Sequence, residues 1–194
     1  MSALSDFGTA DPNLPGHVLI TGCSGGGKST LVRALSERGH IIVPEPGLRI
    51  VKYERGRGGT ALPWVDLHAF LWRAVEMAQA DLTRMASSPN PVFYDRGLLD
   101  AAVGLKSSFG VPFHKTLGSR FPYSNRIFVA PPWRDIYATT LDRQHSFEDA
   151  TREYDRIRGA AEELRLEIIE LPRVDVQTRV LIVQSTLGFG WNED

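Results

Sequence analysis

One octapeptide constrains this chain more than any other feature. Gly22-Cys23-Ser24-Gly25-Gly26-Gly27-Lys28-Ser29 fits the spacing G-x-x-x-x-G-K-[ST] in full. The apolar run Val18–Thr21 precedes it. A helical pattern follows from about Lys28, with Leu31, Ala34 and Leu35 at helical spacing and Gly39 as the stop. Strand, glycine turn and helix in that order make an anion-binding device. Glycines let the backbone approach closely and turn several N–H groups inward, and the helix adds its N-terminal dipole. Lys28 reaches β- and γ-phosphates, and the Ser29 hydroxyl suits Mg²⁺. Gly22, Ser24, Gly25, Gly26, Gly27, Lys28, Ser29 and the adjoining Thr30 are the expected phosphate-binding set for a nucleoside triphosphate. Cys23 occupies a variable position and reads as a small packing residue.

Four further apolar runs resemble Val18–Thr21: His40–Val43, Val92–Tyr94, Arg126–Ala130 and Glu167–Leu171. None alternates with polar residues, which suits strands buried on both faces of a parallel sheet. Helical patterns separate them. The longest is Asp66–Met85, with Asp66 as its cap and Ser87-Ser88-Pro89 as its end. Ile136–Leu141, Phe147–Leu166 and Val174–Leu187 also read as helices, and Gly56–Thr60 as a mobile loop. The expected fold is therefore α/β, a three-layer sandwich around a central five-stranded parallel sheet. Residues 1–15 read as a disordered lead-in and 16–190 as a single domain.

The signs of charge nearly cancel, to −1 over 194 residues, so no general nucleic-acid-binding face is implied. No apolar run is long enough for a transmembrane helix, and the N-terminus lacks a signal-peptide pattern. The single cysteine excludes an internal disulfide and fits a reducing, cytoplasmic setting.

Two carboxylates fall at the carboxyl ends of predicted strands, where ligands bind in open parallel sheets. Asp95 follows Val92-Phe93-Tyr94 and leads into Arg96-Gly97. Asp95 suits Mg²⁺, or else a helix cap or structural ion pair. Arg96 suits a phosphate clamp, a carboxylate partner or a solvated surface. Glu45 stands between Pro44 and Pro46 after Ile41-Ile42-Val43. Prolines on both sides restrict the backbone that aims it. It reads as a base for an attacking hydroxyl or as a turn residue facing water.

These residues resemble the P-loop kinase branch. Val43-Pro44-Glu45-Pro46 is similar to the strand-end segment of deoxyribonucleoside kinases, and Asp95-Arg96-Gly97 to the acidic-arginine motif those enzymes and thymidylate kinases carry after the third strand. Over about Val18 to Leu187 the chain resembles a small AAA-type ATP-binding family related to the nicotinamide riboside kinase domain of bacterial NAD regulators. The residues carrying that likeness include Ala61–Trp64, Phe93–Gly97, Ala130–Trp133 and Leu171-Pro172. The resemblance implies a P-loop NTPase of the nucleoside- and nucleotide-kinase type, with ATP and Mg²⁺. It implies Glu45 as catalytic base and Leu171–Val176, including Pro172 and Val176, as the adenine wall. Gly97 departs from the pattern, since a serine often follows the arginine in the nucleoside kinases.

A helical lid is expected over about 131–160, rich in arginine. Arg143, at a break between two helical patterns, is the first choice for stabilising the moving phosphoryl group, and Arg134 the second. The segment between Glu45 and Asp95 is where such kinases place an acceptor. Arg49 and Trp64 there, with Arg96 and Asp100, are the expected substrate contacts, Asp100 accepting from a substrate hydroxyl.

Three activities fit: transfer of the ATP γ-phosphoryl group to a hydroxyl of a nucleoside, nucleotide or similar metabolite; ATP hydrolysis; or nucleotide sensing without a small-molecule acceptor. The chain shows no Asn-Lys-x-Asp guanine-reading motif and leaves no room for the extra helical domain of a ring-forming motor.

Overall fold

Side chains along the strands divide between two cores. In β1 (His17–Gly22), Val18 and Ile20 belong to one apolar cluster and Leu19 to the other. In β3 (Val92–Asp95), Phe93 sits on the first side and Val92 and Tyr94 on the second. In β4 (Arg126–Ala130), Phe128 and Ala130 oppose Ile127 and Val129. Successive strand residues point to opposite faces, so a strand apolar at every position needs a layer on each side. The computed structural model, which describes residues 16–138 and 146–188, supplies both layers. The sheet is completed by β2 (Ile41–Val43) and β5 (Glu167–Glu170), is parallel throughout, and runs in the order β2-β3-β1-β4-β5.

One face is covered by α1 (Lys28–Glu37) and α6 (Val176–Thr186), through Leu31, Leu35, Val180 and Val183. The other is covered by α3 (Leu67–Met85), α4 (Leu98–Phe109) and α5 (Phe147–Glu163), with Ile50 of α2 (Pro46–Arg57) packed into the same cluster. The three-layer sandwich and its five parallel strands are as expected. Asp66 caps α3 by accepting from the Ala69 N–H at 2.9 Å, and Gly39 ends the turn after α1 with φ 83°.

The structure departs from the sequence reading at three places. Gly56 and Arg57 are helical, the last turn of α2, and the chain leaves the helix at left-handed Gly58. Proline at the first helical position starts α2. Buried Glu54 anchors its end, accepting from the Ala61 N–H and pairing with Arg73. Second, α4 carries no expectation from the sequence: buried on most sides, it lacks an amphipathic stripe. Third, no helix begins at Ile136. Arg134–Ile136 is a single 3-10 turn, and Tyr137 is extended with its ring against Phe147 at 5.2 Å. Among the described residues no helix is long and apolar enough to cross a membrane.

Candidate functional site: a phosphate loop between two cavities

The sheet order places β1 at the centre, with β3 and β4 beside it, so the loop after β1 faces the segments leaving both neighbours. The Cys23 N–H donates to the Ala130 carbonyl at 2.8 Å, pinning the loop to the end of β4. The glycines are needed sterically. A Cβ on Gly26 would lie 2.8 Å from the Pro131 carbonyl oxygen, and one on Gly25 2.6 Å from the Tyr137 ring. Gly25 and Gly27 hold φ of 79° and 84°, where side-chain-bearing residues are strained.

Lys28 is buried inside this loop, and its Nζ donates to the carbonyls of Gly22 (3.1 Å) and Cys23 (2.7 Å). Burial, seconded by the Arg96 charge, lowers its pKa to about 8. Asp95 lies at the end of β3, buried, with Oδ1 unpartnered. Burial raises its pKa against the opposing pull of Lys28 and Arg96, and the Ser29 side chain beside it also lowers it.

Arg96 adopts φ 57°, a left-handed conformation costing a non-glycine residue about 1–2 kcal/mol. Its neighbours hold it there. Nη1 donates to Asp100 and to Glu153, each at 2.9 Å, Nη2 donates to Glu153 at 3.2 Å, and Nε lies 3.5 Å from Glu45. The carboxylates keep the guanidinium firmly protonated against its burial. Glu45 occupies the N-cap position of α2 without a side-chain capping bond, and burial pushes its carboxyl above the ordinary carboxylate range while Arg96 opposes the rise.

Two cavities open on this cluster. The smaller, 440 Å³, follows the phosphate loop from Ser24 to Thr30 and ends at Trp133, Val176 and Arg179. The larger, 770 Å³, has mostly apolar walls, including Leu48, Trp64, Phe70, Leu71 and Ile157. Ser24, Ser29, Glu45 and Arg96 line both.

This architecture has relatives. The profile of the AAA domain family matches residues 17–179. The chain belongs to that family. This AAA-domain chain shares its fold with solved P-loop kinases at low identity. Deoxyadenosine kinase from M. mycoides superposes with TM-score 0.51 and 16% identity, over 88% of this chain and 97% of the other. NadR protein in complex with NR gives 0.66 and 18%, over 93% of this chain and 53% of that one. Shikimate kinase from Acinetobacter baumannii, in complex with shikimate, gives 0.50 and 16%, over 91% and 94%. No curated protein matches the AAA-domain chain by sequence.

The remaining expected residues fall in different places. Trp64 is half exposed on the larger cavity, with the Arg55 guanidinium 5.0 Å from its ring centroid. Asp100 also lines that cavity, but its carboxylate is taken by Thr21 Oγ1 (2.5 Å), Arg96 and the Gly97 N–H (3.0 Å). Arg49 turns away to buried Asp81 at 2.5 Å. Arg134 is exposed, paired with Glu148 at 3.3 Å and stacked on Phe147. Pro172 borders the smaller cavity only through Arg179, which binds its carbonyl. Arg143 lies outside the described residues. Gly97 has a reason to lack a side chain: a Cβ there would collide with the Tyr123 hydroxyl, which accepts from the Leu98 N–H at 2.8 Å. The sequence reading missed Glu153 and Arg179. Glu153 sits on a charged helix, and nothing in its local sequence joins it to Arg96. Arg179 carried one signal, a charge among Val176, Val180 and Val183 on the packed face of α6.

Proposed function

We propose that this protein is an ATP-dependent small-molecule kinase, transferring the γ-phosphoryl group to a hydroxyl of a nucleoside, nucleotide or similar metabolite. The observation that carries this reading is the position of Glu45, on the wall common to the phosphate-loop cavity and a separate 770 Å³ cavity. Hydrolysis needs only water beside the γ-phosphate, whereas transfer needs a second chamber that brings an acceptor to the same point. The mostly apolar walls fit a small organic acceptor.

In this mechanism the loop N–H groups and Lys28 hold the phosphates, Lys28 exchanging its two carbonyl partners for β- and γ-oxygens. Arg96 keeps the Glu45 carboxylate turned toward the junction of the cavities. Glu45 takes the proton of the acceptor hydroxyl as its oxygen bonds to the γ-phosphorus. The bond from that phosphorus to the bridging oxygen breaks, and ADP leaves with the electron pair. A raised Glu45 pKa suits the task, because a base nearer neutrality accepts the proton more readily. Ser29 and Asp95 are hard oxygen donors of the kind Mg²⁺ takes, and the unpartnered, buried Oδ1 of Asp95 fits such an ion. Bound there with the nucleotide, Mg²⁺ would supply charge neutralisation on the polyphosphate.

The test is ADP release from Mg-ATP with and without pools of nucleosides, nucleoside monophosphates, nicotinamide riboside and aminoglycosides, with Lys28→Ala as the blank. One pool should raise the rate well above the water background. Steady release indifferent to every pool would favour hydrolysis. A parent no faster than the blank would favour a sensor.

A further inference from the structure

The last helix carries a charge that the mechanism above leaves unused. Arg179 lies on the packed face of α6 and is 2% exposed. Its Nη1 donates to the Gly26 carbonyl at 2.6 Å and its Nε to the Pro172 carbonyl at 2.7 Å. The guanidinium carbon stands 4.8 Å from the centroid of the Trp133 ring. Nη2 is buried with no hydrogen-bond partner.

Each of these partners is neutral. Among the described residues no carboxylate pairs with Arg179, whereas the other buried guanidinium, Arg96, meets Glu45, Asp100 and Glu153. Burial accordingly draws the Arg179 pKa down, with no acidic neighbour to oppose it. A buried cation without a counter-ion opposes folding. This one is nevertheless built into the wall of the smaller cavity, beside Gly27, Lys28 and Thr30. It is close enough that a Cβ on Gly27 would lie 2.9 Å from Nη1.

We infer that Arg179 is a positioning residue of the phosphate site, and that the nucleotide polyphosphate is its missing counter-ion. From the cavity wall it holds the Gly26 carbonyl by a hydrogen bond and so fixes the backbone of the loop just before Lys28. With Lys28 and Arg96 it adds positive charge to that cavity, and of the two guanidiniums it is the one that no carboxylate pairs. The bridge to Pro172 and the cover of Trp133 keep this charge out of water, where it acts at full strength. The role rests on the nucleotide-binding reading above and extends it to a residue about 150 positions from the loop.

The experiment is calorimetric titration of the parent, Arg179→Gln and Arg179→Lys with Mg-ATP, Mg-ADP and AMP, alongside the melting temperature of each empty protein. Arg179→Gln keeps hydrogen-bond donors but not the charge. It should melt no lower than the parent and bind Mg-ATP about tenfold more weakly or worse, with the loss shrinking toward AMP. Arg179→Lys should restore most of the Mg-ATP affinity. Parental Mg-ATP affinity in Arg179→Gln, an equal loss for AMP and ATP, or empty forms of both variants that melt much lower or do not fold would each overturn the role and leave Arg179 a structural residue. A parent that binds no Mg-ATP would overturn the nucleotide reading itself, a result visible before any variant is compared.

Discussion

Arg96 grips Glu153 at two points, Nη1 to Oε1 at 2.9 Å and Nη2 to Oε2 at 3.2 Å, and so joins the end of β3 to α5 across the wall of the larger cavity. The same guanidinium serves Asp100 and Glu45, so three carboxylates share one cation. Its removal leaves partly buried charges without a counter-ion. Arg96→Met should therefore lower stability by about 3–5 kcal/mol, while Glu153→Gln, at the more exposed end of the pair, should cost about 1 kcal/mol or less. Urea denaturation of both variants checks the order. Equal small losses would mean that the carboxylates find water or other partners.

Lys28 titrates near neutrality in the empty loop, at about 8 against an ordinary 10.5. Two consequences follow with defined sign. The unfolded chain holds this proton more tightly, so the Lys28 contribution makes folding stability rise with pH between about 8 and 10.5. A polyphosphate prefers the charged lysine, so Mg-ATP affinity should hold below pH 8 and decline above it, with proton uptake on binding near pH 8–9. Titration calorimetry in buffers of different ionisation enthalpy measures that uptake, and none at pH 8.5 would contradict the assignment.

Glu45→Gln should bind Mg-ATP like the parent and lose about 10²–10⁴-fold in acceptor-dependent turnover, the range for a positioned base. In the parent, kcat/KM should rise with pH through a limb above the usual carboxylate range, because burial raises the pKa that must be passed before the base is free. The variant should lack that limb. Parental turnover in Glu45→Gln would make Glu45 a turn residue.

Asp95→Asn tests the metal site. The change removes a carboxylate that burial already disfavours in its charged form, so the empty protein should lose little stability. Half-saturation by Mg²⁺ in ATP turnover should shift upward by about tenfold or more, as for loss of one metal-ligand interaction. An unmoved Mg²⁺ midpoint would show that Asp95 does not serve the ion.

Gly97→Ser should destabilise by about 1–3 kcal/mol, the usual cost of overpacking. The new Cβ meets fully buried Tyr123, whose Cζ would stand 3.1 Å away. Adding Tyr123→Phe should recover part of the loss, giving a coupling between the two sites in a double-mutant cycle by thermal denaturation. Strict additivity would place the strain elsewhere.

Local order explains what could be read from the sequence. The phosphate loop is contiguous, and its pattern states its own geometry. The three central strands are legible because burial on both faces leaves an unbroken apolar run, as in Val92-Phe93-Tyr94, whereas edge strand β5 is exposed at both of its glutamates. Asp66 announces α3 by capping it. α2 and α4 escape because glycines interrupt the first and the second, buried on most sides along its first two turns, shows no clean apolar stripe. Glu153 escapes for another reason. Unlike Asp100, only four positions on from Arg96, it meets the guanidinium through the fold, and no spacing rule joins residues 96 and 153. Arg49 illustrates the converse: a basic residue in the right segment is claimed by Asp81, 32 positions on.

Cys23 is the chain's single thiol, fully buried in the phosphate loop with its Sγ–H directed at the Ser24 carbonyl. A buried thiol of this kind resists alkylation. The natural protein is thus a nearly silent background for thiol chemistry. One cysteine introduced at exposed Arg152, on the outer side of α5, would carry a fluorophore or spin label at a known place without first removing the native thiol. Movement of that helix as substrates arrive could then be followed in a protein whose nucleotide loop is left chemically untouched.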